Sequence, residues 1–193
     1  KFLLIICTAL LFILLFLRQL KIRKKLILLS KTDSLTGILN RSALFKEGQK
    51  LIQTSKQQQC ELCVLLFDID HFKLINDKFG HHVGDLVLIK IALLVNETMR
   101  SRDTFARLGG EEFAVIMHGT DEDQLYTKLD DLRRDISVSQ VSHDDHHIVF
   151  TVSMGMVCNS REELAKQMNQ ADTALYSAKE NGRNQISIFG VDE

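Results

Sequence analysis

The chain's 193 residues and 22.0 kDa fit one domain of ordinary size and would leave two full ones cramped. Apolar residues at 45% and a mean hydropathy near zero allow a sizeable core and exclude a disordered chain. Residues 1–32 hold seven of the 24 Lys and Arg and no acid, which leaves 17 basic against 25 acidic residues in 33–193, a net of −8; that anionic remainder argues against a nucleic-acid-binding surface.

Residues 2–17 contain a single polar residue, Thr8. A membrane-spanning helix needs about 20 apolar residues, so 1–17 is expected to be the C-terminal part of one that starts before Lys1. A signal peptide fits less well, because no small-residue cleavage site follows, and a core helix would keep a polar face. Arg18, Lys21, Arg23, Lys24 and Lys25 follow at once and mark the cytoplasmic side. Leu15, Ile22 and Leu29, seven apart, with Leu26 between, make 18–32 a basic juxtamembrane helix that can pair with a second copy; a solvated helix with an apolar stripe fits nearly as well.

Asp33-Ser-Leu-Thr-Gly37 breaks that stalk, and Asn40 can cap a helix running to about Lys56. Residues 61–68 form a continuous apolar run ending in acid and read as a central strand buried on both faces. Helices are predicted over His71–Phe79 and Val83–Arg100, and short strands over 104–108 and 111–117 around a Gly109-Gly110 turn. A helix follows over Asp121–Ile136, a strand over His147–Cys158, one or two helices over 160–181 stopped by Gly182, and a last strand over Gln185–Phe189. No Pro interrupts any of these helices. Together they predict an α/β or α+β fold, one sheet of about five strands with flanking helices and a β-hairpin. Four scattered Cys suit thiols in a reducing compartment better than a disulfide scaffold. The Cys60-x-x-Cys63 pair has no second pair to complete a zinc site, and His143-Asp-Asp-His-His147 reads as a polar loop.

Two acidic spots lie at element ends. Asp68-Ile-Asp70 closes the buried strand, and Glu111-Glu112 follows the glycine turn. Carboxylates so placed suit Mg²⁺, which takes a few carboxylates with substrate phosphates and water, although a surface hairpin would show the same spacing. Alternation puts Glu111 and Glu112 on opposite strand faces, so one of them is expected to share a metal with Asp68. Asn76 and Asp85 offer a donor and an acceptor suited to guanine. Lys179 and Arg183, four apart, can grip phosphates or simply close a helix dipole.

Several of these segments together resemble one family. They are Asp33-Ser-Leu-Thr-Gly-Ile-Leu-Asn-Arg41, Phe67-Asp-Ile-Asp-His-Phe-Lys73, Asn76-Asp77, Gly80-His81, Gly84-Asp85, Arg107-Leu-Gly-Gly-Glu-Glu-Phe113, Ser153-Met-Gly155 and Ala171-Asp172 through Tyr176, Lys179 and Gly182-Arg-Asn184. In this order they resemble the GGDEF family, the diguanylate cyclases, over residues 33–190, with a Gly-Gly-Glu-Glu-Phe signature. The resemblance implies a sheet like that of nucleotidyl cyclases and the polymerase palm. It also implies condensation of two GTP into cyclic di-GMP by a homodimer with Mg²⁺, for which Mn²⁺ can substitute. Carried over, Asp68, Glu111 and the Ile69 carbonyl ligate the metal, and Glu111, then Glu112, acts as general base. Asn76 and Asp85 read guanine. Lys73, Lys179 and Arg183 hold phosphates with backbone N–H groups near His71 and Phe72, and Gly109 and Gly110 let the nucleotide approach. Arg100 and Asp103 form an R-x-x-D at the offset of the family's product-inhibition site. The expected location is a bacterial cytoplasmic membrane, with the catalytic domain inside.

Overall fold

The computed structural model describes residues 1, 12–20, 22, 26, 31–58, 60–119, 121–158 and 162–191. Its elements in chain order are β1 (Leu39–Asn40), α1 (Arg41–Gln58), β2 (Leu62–Ile69), α2 (Phe72–Phe79), α3 (His81–Thr98), β3 (Thr104–Gly109), β4 (Glu112–His118), α4 (Glu122–Val138), β5 (Gln140–His143), β6 (His146–Val149), β7 (Val152–Val157), α5 (Leu164–Glu180) and β8 (Ile186–Ile188). Six strands form one sheet in the order β1-β3-β4-β2-β7-β8, and β5-β6 is a separate hairpin. β1 runs parallel to β3 and β8 parallel to β7; the other pairs in the sheet are antiparallel.

The apolar run 62–69 is the central strand, and all eight of its residues are buried. Its side chains divide by parity. Cys63, Leu65, Phe67 and Ile69 enter a core with α2, α3 and α4; Leu62, Val64 and Leu66 enter a second core with α1 and α5. The sheet is thus the middle layer of three. Phe67 stacks on Phe113 across the β2–β4 pair at 5.1 Å, and Phe105 lies 6.0 Å beyond. Asn40 caps α1 by accepting the Ala43 amide at 3.0 Å.

The strand expected over 147–158 is divided. β6 ends at Val149 and β7 begins at Val152; the sequence between them, Phe150-Thr151, carries no Gly or Pro to mark the break. Of the loop expected at 143–147, His143 ends β5 and His146 and His147 begin β6; only Asp144-Asp145 is turn, with Asp144 at φ 50°, a conformation that Asp tolerates through its short polar side chain. The sixth strand is the two-residue β1, too short to leave a periodic signal.

The expectation of thiols is overturned at one pair. Cys63 and Cys158 form a disulfide, because β2 and β7 pair with Val64 opposite Val157 and bring the next two positions face to face. Cys60 is a free thiol and does not pair with Cys63. The bridge closes a sequence separation of 95 residues, so it constrains the unfolded chain strongly. Under oxidising conditions Cys158→Ser is expected to lower unfolding stability by about 2–4 kcal/mol, measured by urea titration; with reductant present the parent and variant curves should converge.

Residues 12–20 are helical, and Phe12–Leu17 expose their apolar side chains. Residues 2–11 of the expected membrane segment, and Leu29 of the stalk, lie outside the described residues. Among the described residues no helix is long and apolar enough to cross a membrane.

Candidate active site

Three chain segments meet at one end of β2. Asp68 is its seventh residue, and its even parity turns the carboxylate toward α5, where Lys179 Nζ donates to Oδ2 at 2.7 Å. On the other side Asp68 sits in register with Glu112. Glu111 lies in the turn before β4, not in the strand as expected. The ladder shifts between Arg107 and Gly109 and pairs Gly109 with Glu112, so the two-residue turn is Gly110-Glu111. Gly109 and Gly110 adopt φ 145° and 54°, which a glycine pair accepts without steric cost. The alternation argument for Glu111 and Glu112 therefore does not apply: one is a turn residue, the other the first residue of a strand.

The electrostatics single out two carboxyls. Burial pushes Asp68 up, against the hydrogen bond and charge of Lys179, while Glu112 and Asp70 add to the rise. Burial also pushes Glu111 up, and the charges of Asp68 and Glu112 add to it against Lys179. Like charges crowded at a partly desolvated strand end resist joint ionisation. They form a hard-oxygen donor set of the kind Mg²⁺ prefers. Among the described residues no group of three or more His, Cys, Asp or Glu side chains is arranged to hold a metal. The predicted set needs only two side chains, Asp68 and Glu111, because its third donor is the Ile69 carbonyl.

Arg107 clamps the turn. Its Nε and Nη2 donate to the Gly110 carbonyl at 3.0 and 2.6 Å, and its Nη1 to Asp33 Oδ1 at 3.2 Å. Burial pushes the Asp33 carboxyl up, but hydrogen bonds from the Thr36 hydroxyl and amide and the Arg107 pair outweigh it and hold Asp33 below the usual range. The segment that ends the stalk is thereby tied to the turn that carries Glu111. Asp33 and Arg107 are 74 residues apart, so no local pattern reveals this pair.

The remaining predicted residues lie on α2, on α3 and at and beyond the end of α5. His71 starts α2 in a left-handed conformation, φ 56°. The first-turn amides of α2, at Phe72 and Lys73, have no earlier helical carbonyl to bond and favour an anion. Asn76 packs on α3: a Cβ at Gly84 would lie 2.0 Å from Asn76 Oδ1. Asp85 is the next residue and is exposed. Lys73 and Arg183 are also exposed, and among the described residues neither enters an ion pair. Lys179, expected on phosphate, is paired with Asp68 here.

Arg100 and Asp103 lie apart from this centre, beside a groove of about 570 Å³ lined also by Gly37, Asn96 and Ser101. Asp103 Oδ2 accepts the Arg100 amide at 2.9 Å and Nε at 3.2 Å. Its Oδ1 is buried without a hydrogen-bond partner among the described residues, on a side chain only 1% exposed.

Comparison with known proteins identifies the family of the chain. The family model described as diguanylate cyclase, GGDEF domain, matches residues 30–185. The chain is 35% identical over 165 residues to the probable diguanylate cyclase DgcT of Escherichia coli, covering 82% of this chain and 36% of that protein. It is 31% identical to a diguanylate cyclase of Vibrio cholerae, covering 88% and 53%. The chain thus spans roughly a third to a half of these relatives. Among solved structures, the coiled coil and GGDEF domain of DgcB from Caulobacter crescentus in complex with c-di-GMP matches with a TM-score of 0.85 and 28% identity, over 89% of this chain and 92% of that one. The active GGEEF domain of a Vibrio cholerae diguanylate cyclase matches with a TM-score of 0.72 and 30% identity, over 78% and 96%. With the family model covering most of its length, the chain belongs to the GGDEF domain family of diguanylate cyclases.

Proposed function

We propose that the chain is a membrane-tethered diguanylate cyclase that condenses two GTP into cyclic di-GMP and releases two pyrophosphates, working as a homodimer with Mg²⁺. The observation that carries this reading is the acidic centre of Asp68 and Glu111 at the tip of β2, with Lys179 against it. Asp68, Glu111 and the Ile69 carbonyl fit the metal by donor chemistry. Bound there, Mg²⁺ supplies positive charge for the departing pyrophosphate and acidifies the attacking hydroxyl. Glu111, raised above the ordinary carboxylate range, accepts the proton of the 3′-OH as that oxygen bonds to the α-phosphorus of the other nucleotide, with Glu112 as its neighbour in that role. Lys179 exchanges Asp68 for phosphate when nucleotide enters. Arg183, Lys73 and the amides near His71 and Phe72 complete the phosphate contacts, and Gly109 and Gly110 leave room for the nucleotide.

One subunit holds one GTP, so two must face each other. The exposed apolar side chains of Leu15, Ile22 and Leu26 support pairing through the stalk. The apolar run 2–17 followed by five basic residues supports an anchor in a bacterial cytoplasmic membrane with the catalytic domain inside. Cyclic di-GMP is proposed to inhibit from the Arg100–Asp103 groove, where the buried Asp103 Oδ1 suits the N–H groups of guanine.

Asn76 and Asp85 are proposed to read guanine. Gly84 keeps Asn76 in place, so Gly84→Ala is expected to raise the KM for GTP about tenfold while changing kcat little, the signature of lost uniform binding. Steady-state kinetics would measure it. For the reading as a whole, the full chain in lipid nanodiscs is incubated with GTP and Mg²⁺ and the nucleotides are separated by chromatography. Cyclic di-GMP from the parent but not from Glu111→Ala is the expected result, with feedback by product lost in Arg100→Ala. No cyclic di-GMP from the parent would overturn the reading.

A further inference from the structure

Asp70 stands two residues beyond Asp68 but serves a different set of partners. It is 6% exposed. Its Oδ1 accepts the Ser153 hydroxyl at 2.6 Å; its Oδ2 accepts the Thr151 hydroxyl at 2.6 Å and the backbone N–H of Asn184 at 3.0 Å. Three donors from two distant segments converge on one carboxylate. This is how a buried charge is retained in a fold.

The Asn184 bond matters most. Arg183 and Asn184 both adopt left-handed backbone conformations, at φ 64° and 47°. Two such residues in succession, neither a glycine, persist only where their surroundings over-determine them. The determinants can be named. The Arg183 amide donates to the Ala178 carbonyl at 3.0 Å, closing the end of α5. The Asn184 amide donates to Asp70, and Arg133 Nη1 of α4 donates to Asn184 Oδ1 at 2.9 Å. Arg133 is itself fixed by Asp130 at 2.8 Å. A turn that would otherwise relax is held by Asp70, just past β2, on one side and from α4 on the other, and Arg183 is the exposed side chain it presents.

We propose that Asp70 is a positioning residue that, with Arg133, holds the Arg183–Asn184 turn so that Arg183 meets the phosphates of the bound nucleotide. The assignment rests on the cyclase reading for the identity of the ligand, and on the geometry alone for the clamp. The carboxylate that serves the metal and the carboxylate that aims the phosphate cation are then two residues apart at one strand end. Movement of that end shifts both together.

The test uses the full chain as Asp70→Asn, Arg183→Ala, the double variant and Asn184→Gly. Asp70→Asn keeps the side-chain shape but turns one amide N–H toward donors. It is expected to raise the KM for GTP about tenfold with kcat within about threefold of the parent. The double variant should be no weaker than Arg183→Ala alone, because residues acting through one another are non-additive. Asn184→Gly keeps the left-handed backbone but removes the acceptor for Arg133, so its KM should rise less. Amide hydrogen exchange at Asn184 should lose protection in Asp70→Asn while β2 and β7 keep theirs. A general loss of stability would instead multiply the two single effects and expose the whole sheet, and that result overturns the assignment. An active parent with a silent Asp70→Asn, or a silent Arg183→Ala, also overturns it while leaving the cyclase reading intact. A parent that makes no cyclic di-GMP defeats that reading and the phosphate role together, and unchanged Asn184 exchange defeats the clamp itself.

Discussion

Replacing Glu111 by Gln is expected to reduce cyclic di-GMP formation about a thousandfold, the range of a lost general base, and to raise the melting temperature at neutral pH. Both effects come from one charge. Burial and the fields of Asp68 and Glu112 raise the Glu111 carboxyl above its ordinary value, so the folded protein binds that proton more tightly than the unfolded chain does. Stability is therefore lost as pH climbs from the ordinary carboxylate value through the raised one, and the loss is constant above it. The amide carries no charge to crowd. Its stability advantage over the parent should be absent at low pH, grow across that window and stay level beyond it. Adding Mg²⁺ should close the gap from the parent's side, because the cation favours the charged form. Thermal melts of parent and variant across pH, with and without Mg²⁺, measure all of this. A variant no more stable than the parent at any pH would mean that the acidic centre is not strained by its own charge.

How much of this was legible depends on the distance over which each feature is decided. The central strand was plain because its apolar run is continuous and local. Asp68, Glu111 and Glu112 stand out because carboxylates at a strand end and beside a glycine turn suit Mg²⁺. The cap on α1 could be read from Asn40 alone. The partners of these residues could not be read in this way. Lys179 reaches Asp68 across 111 residues, Asn184 reaches Asp70 across 114, and Cys63 meets Cys158 across 95. Each of those meetings follows from β2 lying between β4 and β7 and from α5 packing on the β2 face of even parity, and periodicity reports faces without reporting neighbours. The error at Glu111 was of another kind. A one-residue ladder shift after Arg107 moved the turn forward, and nothing in Arg-Leu-Gly-Gly distinguishes a Gly-Gly turn from a Gly-Glu one. The family motifs bridged this gap for Asp68 and Glu111, whose grouping they implied, but gave no role to Asp70, Arg107 or Arg133.

The contact between β7 and α5 carries the other large effect. Gly155 lies in β7, paired with Leu66 of the central strand, and the backbone of α5 rests directly on it. A Cβ at Gly155 would lie 2.1 Å from the Leu175 amide nitrogen and 2.2 Å from the Ala171 carbonyl oxygen. Those atoms belong to the helix backbone and cannot turn aside as a side chain can, so α5 must move as a unit. Gly155→Ala is expected to cost about 3 kcal/mol or more, at the upper end of overpacking penalties, visible as a lower urea midpoint. The displacement also reaches the site. Lys179 is one turn beyond Leu175 on the same helix, and its 2.7 Å bond to Asp68 has no slack for a shift of an ångström. The variant should thus lose turnover even at temperatures where it is fully folded, with the KM for GTP rising alongside the fall in kcat. Ala171→Gly removes no atom within the clash and should not rescue it, since the obstruction is the Ala171 carbonyl and not its side chain. A Gly155→Ala protein with native stability would show that α5 can ride away from the sheet at no cost, and the tie between Asp68 and Lys179 would then be a contact the helix makes but does not enforce.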